Sequence, residues 1–410
     1  MPDPMQIESI AVRNFRCLRD ITLENLTRMT IVVGPNGSGK SSLFDVFAFL
    51  RDALSQNVAA AVAQRGGYRE LATRGEAGPL EITMQFRESG GRLATYQLKI
   101  AQAQSRPVVE HEALSYRIGQ GGRWGWRFVD NRRGEGEVIT NESEYGVSAM
   151  KGTDQKKRKF KLDDPSTLAI KSFGQLQEFP IVSEFRKYIE NWHISNFQIA
   201  DARPSADFGY AEHLSTRGDN VALVAKHLYE NHPQQFDRVL QAMRQRVPGV
   251  SDVKAKPTED GRLVLRFQDG NFQDPFIAPY VSDGTIKMFA YLVLLYDPNP
   301  HPLLAVEEPE NQLYPALMRE LVEEFHDYAQ RGGKVFVSTH SPDFLNGAEL
   351  DEIRWLVKED GFTKVRRASE SELLRNLVHE GDLPGALWRQ GVFDLPGLHW
   401  RQEDRDGARL

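Results

Sequence analysis

One cysteine, Cys17, stands among 410 residues, so an intrachain disulfide and a cysteine metal cluster are both excluded. That usage fits a reducing cytoplasm, with Cys17 as core filling. Long apolar runs are also missing: the longest, Met288 to Tyr296, is about half of the ~20 residues that cross a bilayer. The opening Met1-Pro2-Asp3-Pro4-Met5-Gln6 lacks the cationic start and apolar stretch of a secretory signal. Basic excess is absent too. Fifty-one Lys and Arg against 57 Asp and Glu leave a formal charge of -6, which argues against a protein coated in basic surface for nucleic acid. No heptad run long enough for a coiled coil and no internal repeat occurs. These absences leave a cytoplasmic protein without a membrane partner, long enough for two domains or for one large α/β domain with an insertion.

The apolar pattern supplies the organisation. Ile7 to Val12, Ile21 to Leu23 and Met29 to Val33 read as strands, the third fully buried. From Lys40, the residues Leu43, Phe44, Phe47, Leu50, Leu54 and Val58 recur at helical spacing until Gly66-Gly67. The period then changes to two at Leu80, Ile82, Met84, Phe86 and at Leu93, Tyr96, Leu98, Ile100, with Gly90-Gly91 as a turn: half-buried antiparallel strands. Residues 131 to 165 are polar and glycine-rich, carry Lys156-Lys157-Arg158-Lys159, and read as a mobile loop inside an insertion. Two helices broken at His232-Pro233 are expected over 219 to 246, and a strand at Leu263 to Phe267. A helix from Ser282 to Tyr296, a buried strand Leu303 to Val306, a helix from Pro315 to Arg331 and a buried strand Lys334 to Ser338 complete a parallel sheet split by the middle of the chain. A terminal helix is expected near Glu370 to His379. The boundaries are 1–80 and 203–368 for two parts of one α/β domain, 81–202 for a β-rich lobe with insertion, and 369–410 for a helix and tail.

Three motifs carry chemistry. Gly34-Pro35-Asn36-Gly37-Ser38-Gly39-Lys40-Ser41 fits the eight-position phosphate loop and lies between a β-branched strand and a helix, where its mechanics require it. Backbone amides from Asn36 to Ser42 would cradle phosphates, Lys40 would bring a point charge to the β and γ oxygens, and Ser41 would ligate magnesium. Leu303 to Val306 ends in Glu307-Glu308, and strand ends are where open α/β sheets bind ligands. Glu307 would hold Mg2+ through its water shell; Glu308 would polarise the water attacking the γ-phosphate. His340 follows another buried strand, whose end should lie beside the first, and reads as a γ-phosphate contact.

In this order and spacing the motifs resemble the ATP-binding cassette heads of the SMC and RecF-like superfamily, nearest the AAA family ATPases without coiled coils. Ile10-Ala11-Val12-Arg13-Asn14-Phe15-Arg16, the signature-like Ser282-Asp283-Gly284-Thr285, Glu308 to Pro315 and Ser338 to Ser341 add to the likeness, which covers 1–70 and 203–400. It implies an ABC-type head with a mixed or parallel core sheet and an antiparallel β lobe. It also implies a homodimer sandwiching two ATP molecules, with Ser282 and Gly284 reaching the γ-phosphate in trans and Arg16 similar to the basic residue that reaches the nucleotide. Glu307 stands where aspartate is usual and Tyr314 where histidine is frequent; Gln64 is the candidate for the magnesium-sensing glutamine.

The resemblance suggests two roles. One is a sensor ATPase of an antiphage defence module acting on a separate nuclease-like effector. The other is a RecF-like ATPase gripping DNA through Lys156 to Lys159 and Arg123-Trp124-Gly125-Trp126-Arg127. The span after His340 leaves no room for the TOPRIM domain of an overcoming-lysogenisation nuclease.

Overall fold

The computed structural model describes residues 5–88, 92–117, 125–142 and 155–394. They fall into two compact units, one of Met1–Trp192 with Asp351–Ser371, the other of His193–Leu350 with the described residues from Glu372 to Asp394.

The first unit begins with β1 (Gln6–Phe15), β2 (Leu18–Leu23) and the wholly buried β3 (Met29–Val33). Two helices, α1 (Lys40–Ser55) and α2 (Val58–Ala63), come next. The helical period continues through both, yet the single helix expected from it is divided. Asn57 adopts extended backbone and its side chain accepts from the Ala60 N–H at 2.8 Å, so an N-cap overrides the apolar spacing.

Six further strands follow: β4 (Leu80–Arg87), β5 (Leu93–Ala103), β6 (Arg106–Arg117), β7 (Gly125–Arg132), β8 (Glu135–Ile139) and β9 (Lys157–Lys161). With β1 and β2 they form an eight-stranded antiparallel sheet in the order β2-β1-β4-β5-β6-β7-β8-β9. The period-two residues Ile82, Met84 and Phe86 of β4 and Tyr96 and Leu98 of β5 are all fully buried. They receive α3 (Pro180–Glu190), whose Phe185 ring stands 5.1 Å from both Phe86 and Tyr96.

The expected mobile loop is corrected by β8 and β9. Polar residues that look unanchored in sequence are paired across strands, Lys157 with Glu137 at 3.2 Å and Lys161 with Glu135 at 2.7 Å. Phe160 packs at 4.7 Å on Phe173. Cross-strand charge pairs and a lysine-rich edge serve an outer strand well, but they give no apolar alternation to read. Residues 143–154, the Gly90-Gly91 turn and Arg123-Trp124 lie outside the described residues.

The second unit opens on β10 (His193–Ser195), followed by β11 (Ala206–Asp207). Two helices, α4 (Val221–Asn231) and α5 (Pro233–Arg246), part at His232-Pro233 as the sequence predicts. A small antiparallel sheet joins β11, β12 (Val250–Pro257), β13 (Arg262–Asp269) and β14 (Phe276–Ile277). Then come α6 (Asp283–Leu295), β15 (Leu303–Glu307), α7 (Met318–Gln330) and β16 (Lys334–Thr339). β10, β15 and β16 are parallel, with Val306 opposite Ser195 and Val337 and with Glu307 opposite Ser338. Their carboxyl ends therefore lie level.

The chain returns to the first unit through β17 (Ile353–Glu359), parallel to β3, and β18 (Phe362–Arg367), antiparallel to β17. Arg354 of β17 is 1% exposed, and its guanidinium donates to the Glu24, Asn25 and Asp351 carbonyls at 3.1, 2.8 and 2.6 Å. Burial lowers its pKa to about 10. The expected α/β class, with parallel strand pairs and an antiparallel lobe, is present.

Candidate active site

In the first unit, β3 delivers the chain into the glycine loop and α1 carries it away. Pro35, Asn36 and Gly37 form an exposed crest, while Ser38, Gly39 and Lys40 are buried beneath it. Gly39 is the N-cap of α1 at φ 107°, and a Cβ there would stand 2.3 Å from Thr363 Oγ1 and 3.0 Å from Cys17 Sγ. At Gly34 a Cβ would meet the Leu356 carbonyl at 2.4 Å. Both positions thus exclude side chains on steric grounds.

The Lys40 ammonium folds back over the loop and donates to the Gly34 and Pro35 carbonyls at 2.8 and 3.2 Å. Thr363 of β18 donates to the Ser38 carbonyl at 2.7 Å from below. Ser38 Oγ is buried without a hydrogen-bond partner. Ser41, exposed, and Ser42, half-buried, occupy the first turn of α1. Arg16 sits at the β1–β2 turn with φ 51° and pairs with Asp45 of α1 at 2.7 Å. Gln64 ends α2.

In the second unit the acidic pair closes β15. Glu308 has the left-handed φ of 45°, uncommon for a side chain of its size, and its N–H donates to the Ser338 carbonyl at 2.9 Å. The twist directs its carboxylate to His340, whose Nε2 lies 3.1 Å from Oε1, while Oε2 accepts from Asn311 Nδ2 at 2.9 Å. Glu308 and His340, read separately from sequence, are brought into contact. Ser282 caps α6, its Oγ 2.8 Å from Thr285 Oγ1 and accepting from the Thr285 N–H at 3.3 Å. Gly284 lies in the following turn, where a Cβ would approach the Gln312 carbonyl at 2.9 Å. Tyr314 is 72% exposed.

The family model for "AAA domain, putative AbiEii toxin, Type IV TA system" matches residues 29–346, more than half of the chain. The chain belongs to this AAA family. Among curated proteins, the chromosome partition protein Smc of Thermoplasma acidophilum is 29% identical over 111 residues, 27% of this chain and 9% of that protein. Only a small part of that relative's length is therefore spanned. Among solved structures, an Smc head bound to the C-winged helix domain of ScpA superposes with a TM-score of 0.51 at 15% identity, covering 88% of this chain and 97% of that one. The Thermotoga maritima SMC head domain gives 0.45 at 11% identity over 88% and 98% of the two chains. The fold is that of an SMC-like ATPase head, and members of the AAA family are ATPases.

Three further residues beside these motifs, two in the second unit and one in the first, were given no role from sequence. Glu310 Oε1 accepts from Thr339 Oγ1 at 2.8 Å and from the His340 N–H at 2.6 Å, so it fixes the backbone that presents the histidine. Lys287, 5% exposed on α6, donates to the Asn311 carbonyl at 2.6 Å. Burial pushes its ammonium down to about 8, against the upward pull of Glu310 and Glu308. Thr363 underlies the phosphate loop from 325 residues away. Only Glu310 had a signal, its place two residues after Glu308 in the polar strand-to-helix turn.

Proposed function

We propose that the protein binds ATP with Mg2+ and hydrolyses it, and that nucleotide-driven pairing of two copies switches a partner. The observation that carries this is the glycine loop with Lys40 curled over it. An ammonium satisfied by two loop carbonyls holds the anion cradle in shape and can turn to phosphate oxygens when they arrive. Ser41 and Glu307 would hold the magnesium, which neutralises charge on the phosphates. Glu308 takes the proton of the attacking water, and His340, in contact with it, orients the γ-phosphate.

Ser282 and Gly284 serve the other copy's nucleotide. The exposed start of α6 offers amides and a positive dipole end to an anion, and turnover accordingly requires the dimer. Biologically we favour a sensor ATPase of a defence system with a nuclease-like effector, consistent with the toxin-type family description. The RecF-like reading leans on Lys156 to Lys159. Lys157 and Arg158 in that run are already paired with Glu137 and Glu178, which weakens it as a phosphate-binding patch.

Glu308→Gln should retain nucleotide binding, accumulate an ATP-bound dimer in size-exclusion chromatography and lose steady-state phosphate release. Unchanged phosphate release would remove Glu308 from the reaction.

A further inference from the structure

The second unit holds a cluster of metal-ligating side chains at the opposite end of β15 from Glu307 and Glu308. His213, Asp297 and His301 bring their ligand atoms within 4.8 Å of one another. His213 Nδ1 is 2.6 Å from Asp297 Oδ2, and the His213 and His301 ring centroids are 4.9 Å apart. His193, the first residue of β10, stacks on His301 at 4.8 Å. His301 and Glu308 are seven residues apart along an extended segment, on the order of 20 Å, so this cluster is separate from the phosphate chemistry.

The ligands are held by a rigid frame. Asp297-Pro298-Asn299-Pro300-His301-Pro302 alternates proline with the two candidate ligands and Asn299, which removes most of the backbone freedom that ion binding would otherwise have to freeze. Asp297 is 3% exposed; its Oδ1 accepts from the Asn299 N–H at 2.8 Å, which leaves Oδ2 turned toward His213. The His301 N–H donates to Tyr328 Oη at 2.7 Å. The His213 carbonyl accepts from Asn220 Nδ2 at 3.0 Å. His213 remains partly open to solvent, which supplies an entry path.

We propose that His213, Asp297 and His301 bind a zinc-type divalent ion, with one coordination position left for water. Two imidazoles and a carboxylate favour a borderline first-row ion over magnesium or calcium, which take oxygen ligands. Ligand atoms on a tetrahedral zinc ion stand roughly 3.4 Å apart, given bonds of ~2.0–2.2 Å, and those of the three side chains lie within 4.8 Å of one another. The bound ion replaces the His213–Asp297 hydrogen bond and ties the segment after β11 to the loop that feeds β15.

The test uses the full chain, stripped with chelator and free of nucleotide, titrated with Zn2+ against a chromophoric chelator in millimolar Mg2+. The expected result is one Zn2+ per chain at micromolar affinity or better, weakened at least tenfold by His213→Gln and by His301→Gln and unchanged by His379→Gln. Zn2+ bound equally well by the His213 and His301 variants, or less than one equivalent bound by the wild type, overturns the proposal. Should those variants not fold, the wild-type Co2+ complex decides: intense visible bands of a four-coordinate ion support the site, and the pale spectrum of hydrated Co2+ refutes it.

Discussion

Replacing Glu310 separates the structural from the catalytic content of the β15–β16 strand ends. Its Oε1 accepts two hydrogen bonds, from Thr339 Oγ1 and the His340 N–H, and a bond to a charged acceptor contributes about 1.5–3 kcal/mol. In Glu310→Ala both donors lose that acceptor. If the energy of one such bond is what holds His340 in its working position, its loss from the transition state lowers kcat roughly 10- to 150-fold. Glu310→Gln keeps an acceptor at Oε1 and should fall between the two. Phosphate release under saturating ATP gives kcat; a fluorescent ATP analogue gives affinity, expected within about threefold of wild type because the phosphate loop is intact. A Glu310→Ala protein with a lowered melting temperature but wild-type kcat would show that Glu310 only stabilises the fold, and the assignment of His340 would fall with it.

Two more outcomes follow from other sites. Gly39→Ala forces a Cβ against Thr363 and Cys17 at a φ of 107° that alanine resists, so nucleotide affinity should drop at least tenfold in a still-folded protein; retained affinity would mean that the loop does not bind phosphate. Burial raises the Glu142 carboxyl to about 7, even though the Ile181 N–H at the start of α3 donates to it at 2.6 Å. A carboxyl pKa higher in the folded than in the unfolded state stabilises fully below pH 4.5 and loses that contribution as pH rises to about 7, with a slope on the order of 1 kcal/mol per pH unit. Urea midpoints of Glu142→Gln measured across this window should lack that slope, and an identical pH profile would refute the assignment.

What the sequence made legible was whatever is encoded in neighbouring residues. The phosphate loop announces itself because β3, the glycines and α1 are contiguous, and β15 and β16 because buried parallel strands are short unbroken apolar runs. The division between α1 and α2 was missed because a single capping Asn57 outweighs an apolar period that runs on through it. β8 and β9 were missed because their stability lies in partners remote in sequence, Lys161 with Glu135 and Arg158 with Glu178. The same cause hid Thr363: nothing near it in the chain hints that its hydroxyl supports Ser38. For Arg16 the resemblance implied a nucleotide contact, and the structure adds a pairing with Asp45 that the sequence did not suggest.

The contact between Glu308 and His340 gains meaning from what stands behind it. Lys287 lies on α6 little more than one turn beyond Ser282, and its ammonium is anchored on the Asn311 carbonyl. Asn311 in turn donates to Glu308. The helix that begins at Ser282 and the carboxylate proposed to activate water are thus joined through two side chains and one residue's backbone, all inside one unit. An anion bound at the N-terminus of α6, as proposed, would act on Lys287 through the helix, and movement of Lys287 would strain or break its bond to Asn311. Its depressed pKa marks how little water is there to replace that bond. Under the proposed pairing of two copies, these contacts would be the route by which the other copy's nucleotide acts on Glu308.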